Sequence, residues 1–128
     1  MSNEADNIVS AIIAKWCAGF AKLDAVTLSS LYAKNAFFFG SNPKLYRGRD
    51  GVADYFNGLP RWRKPNAVFS EVQAAKSGPD LINMGATISF DLAGERPDLV
   101  VKMSWVIIPE DGDWKIVNHH ASSKEPLI

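Results

Sequence analysis

The sequence predicts an α+β fold in which helices pack on an antiparallel sheet, and three observations support this class. Apolar residues recur at steps of three and four between residues 8 and 23, which is typical of a one-faced helix. From residue 67 onward, apolar and polar residues alternate in segments separated by turn residues, which is typical of strands. Helices followed by consecutive strands favour the α+β class over alternating βαβ units.

Two helices are expected at the start of the chain. The first is about five turns long, and its apolar stripe contains Ile8, Ile12, Trp16, Phe20 and Leu23. Asp24 is a residue type that commonly caps helix N-termini, so a second, shorter helix is expected from there through Tyr32.

The middle of the chain predicts a short hairpin, a helix and a loop. Residues 36–40 and 44–47 are expected to form two short strands. Asp50 is expected to cap a third helix, which Pro60 ends because proline has no backbone N–H to donate. Trp62 lies in the loop that follows.

Four strands are expected in the second half of the chain. Their ranges are 67–75, 81–92, 99–109 and 113–121, separated by turn residues at 77–80, 93–97 and 111–112. The Asp111-Gly112 pair is the strongest hairpin signal, because a type I′ turn needs positive φ at both central residues.

The hairpin at 111–112 allows the faces of the sheet to be assigned. If Glu110 pairs with Asp113, residues directly opposite each other share a face. The inner face then carries two cross-strand rows: Ala86, Trp105 and Asn118, and Ile88, Met103 and His120. On this register His119 lies on the outer face beside Ser104.

The inner face is therefore expected to be apolar with two polar groups, Asn118 and His120. An unpaired buried polar group costs about 1–3 kcal/mol, so both need partners or must line a wet cavity. One interpretation is that they bond to nearby backbone and close the core; the other is that they face a ligand. Histidine is also the usual general acid or base, which makes His120 the best catalytic candidate. The face on which Glu71 lies stays open.

Composition limits the function classes. The 128 residues suit one domain, 1–128, and the 14 basic and 14 acidic residues balance. This neutrality argues against nucleic acid and anionic membranes as partners. No apolar run approaches the ~20 residues of a membrane span. The single Cys17 suits a reducing compartment, so a cytoplasmic location is expected.

Neither a metal site nor a cofactor is expected. His119 and His120 are adjacent on a strand, where neighbouring side chains point to opposite faces, so they make a poor pair of metal ligands. The outer face has a different feature. Val100, Val106, Ile108 and Val117 make it apolar, and a sheet-to-sheet homodimer is the simplest way to cover it.

Three segments carry a resemblance to a known family. They are LYAKNAF at 31–37, GVADYF at 51–56 and DGDWKIVNHHASS at 111–123. They resemble the nuclear transport factor 2-like (cystatin-like) superfamily, especially the association domain of calcium/calmodulin-dependent protein kinase II and small SnoaL-like proteins. The resemblance implies a strongly bent, mixed or antiparallel sheet wrapped around helices, with a conical pocket. Members include cyclases, isomerases, dehydratases and non-catalytic hubs, so the fold does not decide the function.

The sequence departs from the resemblance at the pocket, where three expected charges are missing. Kinase association domains have arginines there, whereas the matching positions in this sequence are Ala86, Trp105 and Ala121. We therefore predict a homodimeric protein that binds a small, largely apolar molecule. The predicted ligand-binding residues are Trp62, Ala86, Met103, Trp105, Asn118 and His120. The alternatives are a cofactor-free isomerase, cyclase or dehydratase that uses His120 with Asn118, and a pure oligomerisation module.

Overall fold

The computed structural model describes residues 3–92 and 99–128, so the predicted turn at 93–97 lies outside the described residues. The elements are α1 (Glu4–Ala21), α2 (Ala25–Ser29), β1 (Tyr32–Phe39), β2 (Leu45–Arg47), α3 (Gly48–Asn57), β3 (Asn66–Lys76), β4 (Ile82–Asp91), β5 (Leu99–Glu110) and β6 (Asp113–Ser123). Helices lead into a mixed sheet, which confirms the predicted α+β class.

The sheet has six strands in the order β2-β1-β6-β5-β4-β3. The last four strands form the predicted antiparallel meander, and β1 pairs with β6 in parallel. This parallel pair places the closing strand β6 near the middle of the sheet, where both its edges are hydrogen-bonded.

The first two helices begin at side-chain caps. Asn3 accepts a hydrogen bond from the Asp6 amide at 2.8 Å, and Asp24 accepts one from the Thr27 amide at 3.2 Å, which confirms Asp24 as a cap. The expected extension of α2 to Tyr32 is wrong. The helix ends at Ser29 because the chain leaves it to pair with β6, where the Ile116 amide donates to the Leu31 carbonyl at 3.0 Å.

The start of α3 also differs from the prediction. Asp50 is not its cap, because the helix begins at Gly48 and Asp50 lies in the first turn. Gly48 has φ +71°, a left-handed conformation that non-glycine residues rarely adopt. This glycine lets the chain turn from β2 directly into the helix without a capping side chain.

The core lies between α1 and the inner face of the sheet. The Trp16 ring stacks on Phe20 at 5.3 Å between centroids and meets Phe69 edge-on at 5.6 Å. The inner residues of β4 include Ile82 and Ile88, which are fully buried. The alternation predicted for β4 is therefore confirmed.

The pairing of β4 with β5 is displaced from the predicted one. Trp105 pairs with Met84 rather than Ala86, and Ala86 pairs with Met103. A displacement by two residues changes the partners but not the faces, because side chains alternate with period two. The pairing extends to Phe90 and Leu99.

The pairing of β5 with β6 follows the prediction only near the turn. Glu110 pairs with Asp113 and Ile107 with Ile116 as expected, but Val106 pairs with Asn118, so Val117 is an extra residue. Such a β-bulge reverses the alternation of everything beyond it.

The bulge overturns the predicted faces of three residues. Asn118 and His120 are exposed on the outer side, so their predicted inward orientation is wrong. His119 pairs with Trp105 and is only 2% exposed, although it was expected on the outer face.

A second bulge settles the orientation of Glu71. The β3–β4 register shifts between Ser70 and Gln73, and Glu71 has φ +53°. Its exposed carboxylate lies 3.5 Å from the Lys124 ammonium, so Glu71 does not contribute a carboxylate to the inner face.

Candidate functional site

A cavity of about 300 Å³ lies between the helices and the inner face of the sheet. Its apolar lining consists of Trp16, Phe20, Phe38, Phe56, Leu59, Trp62, Phe90, Leu92, Leu99, Val101, Met103 and Ala121. Its polar lining side chains are Ser41, Tyr55, His119, Ser122 and Ser123. Concave, mostly apolar cavities with a few polar groups are typical of small-molecule sites, and this volume is at the lower end of their range.

His119 is the most enclosed polar group of the cavity. Its Nδ1 atom lies 3.0 Å from the indole nitrogen of Trp105 and 2.9 Å from the hydroxyl oxygen of Tyr32. The Phe38 ring stacks on the imidazole at 3.9 Å between centroids and 20° between planes. The imidazole is therefore held on one edge by two polar partners and on one face by an aromatic ring.

The hydrogen bonds continue beyond His119 into α1. The indole N–H of Trp16 donates to the Tyr32 hydroxyl oxygen at 3.1 Å, and both side chains are buried. Among the described residues, no buried side-chain nitrogen or oxygen lacks a hydrogen-bond partner. This network, Trp16–Tyr32–His119–Trp105, connects the helix to three strands through side chains alone.

Burial keeps the network uncharged. Loss of hydration lowers the pKa of His119 to about 3, and the neighbouring His120 adds to the lowering. Burial likewise raises the pKa of Tyr32, so its hydroxyl keeps its proton. Near pH 7 the cavity therefore faces a neutral imidazole and not an imidazolium.

Two irregular strand pairings assemble this arrangement. The bulge at Val117 turns His119 inward, and the β1–β6 register shifts between Tyr32 and Phe37. Beyond that shift Phe38 pairs with His119, which places the two rings face to face. One shift lies in the antiparallel pairing of β6 with β5 and the other in its parallel pairing with β1, so the site depends on the closing strand.

Ser41 and Tyr55 form a second polar point on the cavity surface. The Tyr55 hydroxyl donates to the Ser41 hydroxyl oxygen at 2.8 Å and accepts from the Ser41 amide at 2.9 Å. Gly40 makes this approach possible, because a Cβ at that position would lie 2.5 Å from the Tyr55 ring.

Trp62 lines the cavity from the loop after α3. Its neighbour Arg61 donates to the carbonyl oxygen of Phe56 at 2.6 Å and to that of Leu59 at 3.1 Å. The guanidinium thus satisfies carbonyl groups at the end of the helix and fixes the loop.

The predicted ligand-binding residues fall into three groups. Trp62 and Met103 line the cavity, and their contact with a ligand stays a prediction. Ala86 and Trp105 lie on the inner face of the sheet but do not line the cavity, although Trp105 donates a hydrogen bond to His119. The exposed Asn118 and His120 are outside the cavity.

Sequence reasoning missed His119, its hydrogen-bond partner Tyr32, and Trp16, which donates to Tyr32. The two adjacent histidines did indicate that one imidazole faces inward, because neighbouring side chains on a strand point to opposite faces. Only the position of the bulge decides which one, and no turn-type residue marks it in the sequence.

The described lining of the cavity contains no charged side chain. At the three positions matched to association-domain arginines, Ala121 lines the cavity and Ala86 and Trp105 pack in or against the core. Within residues 3–92 and 99–128, no three His, Cys, Asp or Glu side chains are grouped closely enough for a metal ion. No described helix has the length and apolar character to cross a membrane.

The model of the SnoaL-like domain family matches residues 9–126. The chain belongs to this family. A search of curated proteins gave no match.

Solved structures agree with this assignment at the level of the fold. A proposed calcium/calmodulin-dependent protein kinase II association domain from Xanthomonas campestris superposes with a TM-score of 0.83 and 22% identity, covering 98% of this chain and 91% of that one. A proposed scytalone dehydratase from Novosphingobium aromaticivorans gives 0.80 and 14%, covering 93% and 83%. A cystatin-like protein of unknown function from Nostoc punctiforme gives 0.80 and 13%, covering 99% and 82%. The predicted cystatin-like fold is therefore confirmed.

Proposed function

We propose that this SnoaL-like protein binds a small, uncharged, largely apolar molecule in its cavity. The observation that carries the proposal is the described lining, in which twelve apolar side chains outnumber four hydroxyl groups and one neutral histidine. A charged ligand would lose its hydration there without meeting an opposite charge from the described lining, which costs several kcal/mol. An apolar ligand gains about 25 cal/mol for each Å² it buries.

Tryptophan fluorescence tests the proposal, because Trp16 and Trp62 both line the cavity. Titration with small neutral molecules is expected to change the emission and raise the melting temperature. The variant Ala121→Leu fills part of the cavity and should weaken binding, whereas Ala75→Leu adds the same bulk at an exposed position of β3 outside the cavity lining. Equal binding by both variants would place the ligand elsewhere.

A second candidate is a cofactor-free isomerase, cyclase or dehydratase. The proposed dehydratase among the structural neighbours favours it. His120 does not serve this candidate, because it lies on the exposed side of β6. The cavity offers His119 and Tyr55 instead, so a turnover that survives both His119→Asn and Tyr55→Phe would exclude this chemistry from the cavity.

We also propose that two copies associate through the outer face of the sheet. Phe37 and Phe39 are 45% and 37% exposed there, and Val106 and Val117 are half-buried on the same side. Exposed apolar side chains that form one patch commonly mark an interface. A pure oligomerisation module would need only this face, and the cytoplasmic location stays a prediction.

Sedimentation at micromolar concentration tests the association. The variant Val106→Glu places a carboxylate on the outer face and is expected to sediment as a monomer. Val26→Glu is the matched control, because Val26 is exposed on α2, away from the sheet. A wild-type monomer, or a dimer unaffected by Val106→Glu, would contradict this interface.

A further inference from the structure

We infer that Trp105 and Tyr32 fix His119 in the tautomer that carries its proton on Nε2, so the cavity offers its ligand a hydrogen-bond donor and selects neutral molecules with an acceptor oxygen, such as ketones. This inference deepens the proposed binding function and rests on it. Trp105 and Tyr32, which do not line the cavity, are then positioning residues, and the ligand class narrows to neutral molecules with an acceptor oxygen.

Trp105 determines the state of Nδ1. The indole N–H is a donor only, and its nitrogen lies 3.0 Å from Nδ1. If Nδ1 also carried a proton, two N–H groups would face each other at this distance. Nδ1 must therefore present its lone pair to Trp105, and a neutral imidazole then carries its proton on Nε2.

Tyr32 reinforces the same state. Its oxygen accepts the indole N–H of Trp16 at 3.1 Å, which leaves the hydroxyl proton free to point toward Nδ1 at 2.9 Å. Two donors thus converge on one lone pair. The shared lone pair is a poor proton acceptor. In the other tautomer Nδ1 could still donate to the Tyr32 oxygen, but the hydrogen bond from Trp105 would be lost.

The Nε2 atom faces the cavity. It makes no hydrogen bond to any described residue, whereas no described buried side-chain nitrogen or oxygen is left without a partner. Nε2 is therefore not sealed in the core, and His119 lines the cavity. The N–H at this position is therefore available to a molecule that occupies the cavity.

This arrangement excludes His119 as a base toward a bound molecule. The nitrogen that faces the cavity already holds a proton, and removing it would leave an imidazolate in apolar surroundings. What Nε2 can do is donate a hydrogen bond to a carbonyl or ether oxygen. A ligand without an acceptor leaves this N–H unpaired, which weakens binding roughly 10- to 100-fold. An ammonium group has only donors and is disfavoured further.

The tautomer is measurable without any ligand. Long-range ¹H–¹⁵N NMR at pH 7 is expected to show a protonated Nε2 and an unprotonated Nδ1 for His119. Trp105→Phe removes the donor but keeps an aromatic ring, and it should produce a mixture of tautomers. Tyr32→Phe removes the other donor to Nδ1. Trp114→Phe is the control, because Trp114 is half-buried and lies outside the network. A protonated Nδ1 in the wild type would overturn the inference.

Three probes of similar shape test the selectivity. Cyclohexanone has an acceptor oxygen, methylenecyclohexane lacks it, and cyclohexylamine carries an ammonium. Calorimetric titration is expected to rank the ketone roughly 10- to 100-fold above the hydrocarbon, with the amine weakest. In His119→Phe the ketone should lose its advantage while the hydrocarbon still binds.

The outcomes distinguish a failure of the donor role of His119 from a failure of the proposed binding function. Equal affinity for ketone and hydrocarbon would overturn the donor role and leave the proposed binding function intact. Failure of all three probes to bind, with the Nε2 tautomer present, would contradict the proposed function and the ligand selection together.

Discussion

Two adjacent rows of the sheet differ by a single residue on each strand yet have opposite environments. The inner row is Phe38, His119, Trp105 and Met84, and the outer row is Phe39, His120, Ser104 and Gly85. Every member of the inner row is buried, and its histidine is stacked and hydrogen-bonded. The outer histidine contacts only the Phe39 ring, 5.5 Å between centroids, among the described aromatic neighbours. Identical side chains therefore acquire different chemistry from the pairing of the strands.

The largest difference between the rows is expected at the two phenylalanines. Phe38 is 1% exposed and packs on Tyr55 and His119, so Phe38→Ala should lower the free energy of unfolding by about 3–5 kcal/mol. Phe39→Ala removes a ring on the outer face that is 37% exposed, and it should cost under about 1 kcal/mol of intrinsic stability. Urea denaturation, extrapolated over protein concentrations to separate folding from association, checks both values. Similar costs would mean that the rows are not on opposite faces.

A smaller difference is expected at the two histidines. His119→Ala leaves the Trp105 N–H and the Tyr32 hydroxyl without their shared acceptor, and it opens space beside Phe38. Two unpaired buried donors predict a loss of about 2–5 kcal/mol. His120→Ala alters an exposed residue and should stay within about 0.5 kcal/mol. Circular dichroism during urea unfolding measures both losses. A larger loss for His120→Ala than for His119→Ala would mean that His120 is the buried histidine and that β6 has no bulge at Val117.

Much of the fold could be predicted because it depends on local signals. The apolar period in α1, the Asp24 cap and the Asp111-Gly112 turn each act within a few residues, and each is present in the structure. The faces of β4 were also predictable, since a displaced register that moves by two residues keeps the same side chains in the core.

The candidate site was less predictable because it depends on bulges. The extra residue Val117 reverses the alternation between the turn and the end of β6, so reasoning outward from a correct turn gave His120 in place of His119. A bulge is stabilised by the tertiary environment, here the pairing of β6 with β1 on its other edge, and a single strand does not encode it. The network partner Tyr32 was missed for a different reason, because the sequence assigned it to the second helix rather than to β1.

A pH titration gives the smallest of the expected effects and the sharpest contrast between the histidines. Burial lowers the pKa of His119 to about 3 in the folded protein, whereas an unfolded histidine has a pKa of about 6.5. Between these values the unfolded state binds a proton that the folded state does not, so the free energy of unfolding falls as the pH is lowered. The loss attributable to His119 should be about 2 kcal/mol at pH 5 relative to pH 7.

The contribution of His119 is obtained by difference, because carboxylates also titrate in acid. The loss of stability between pH 7 and pH 5 should shrink in His119→Asn and persist in His120→Asn. Wild-type NMR provides a check that does not require either variant to fold, since the His119 ring signals should not titrate between pH 8 and pH 5. A His119 ring that titrates near pH 6.5 would mean that the imidazole is hydrated, and the network that holds it neutral would then have to be open in solution.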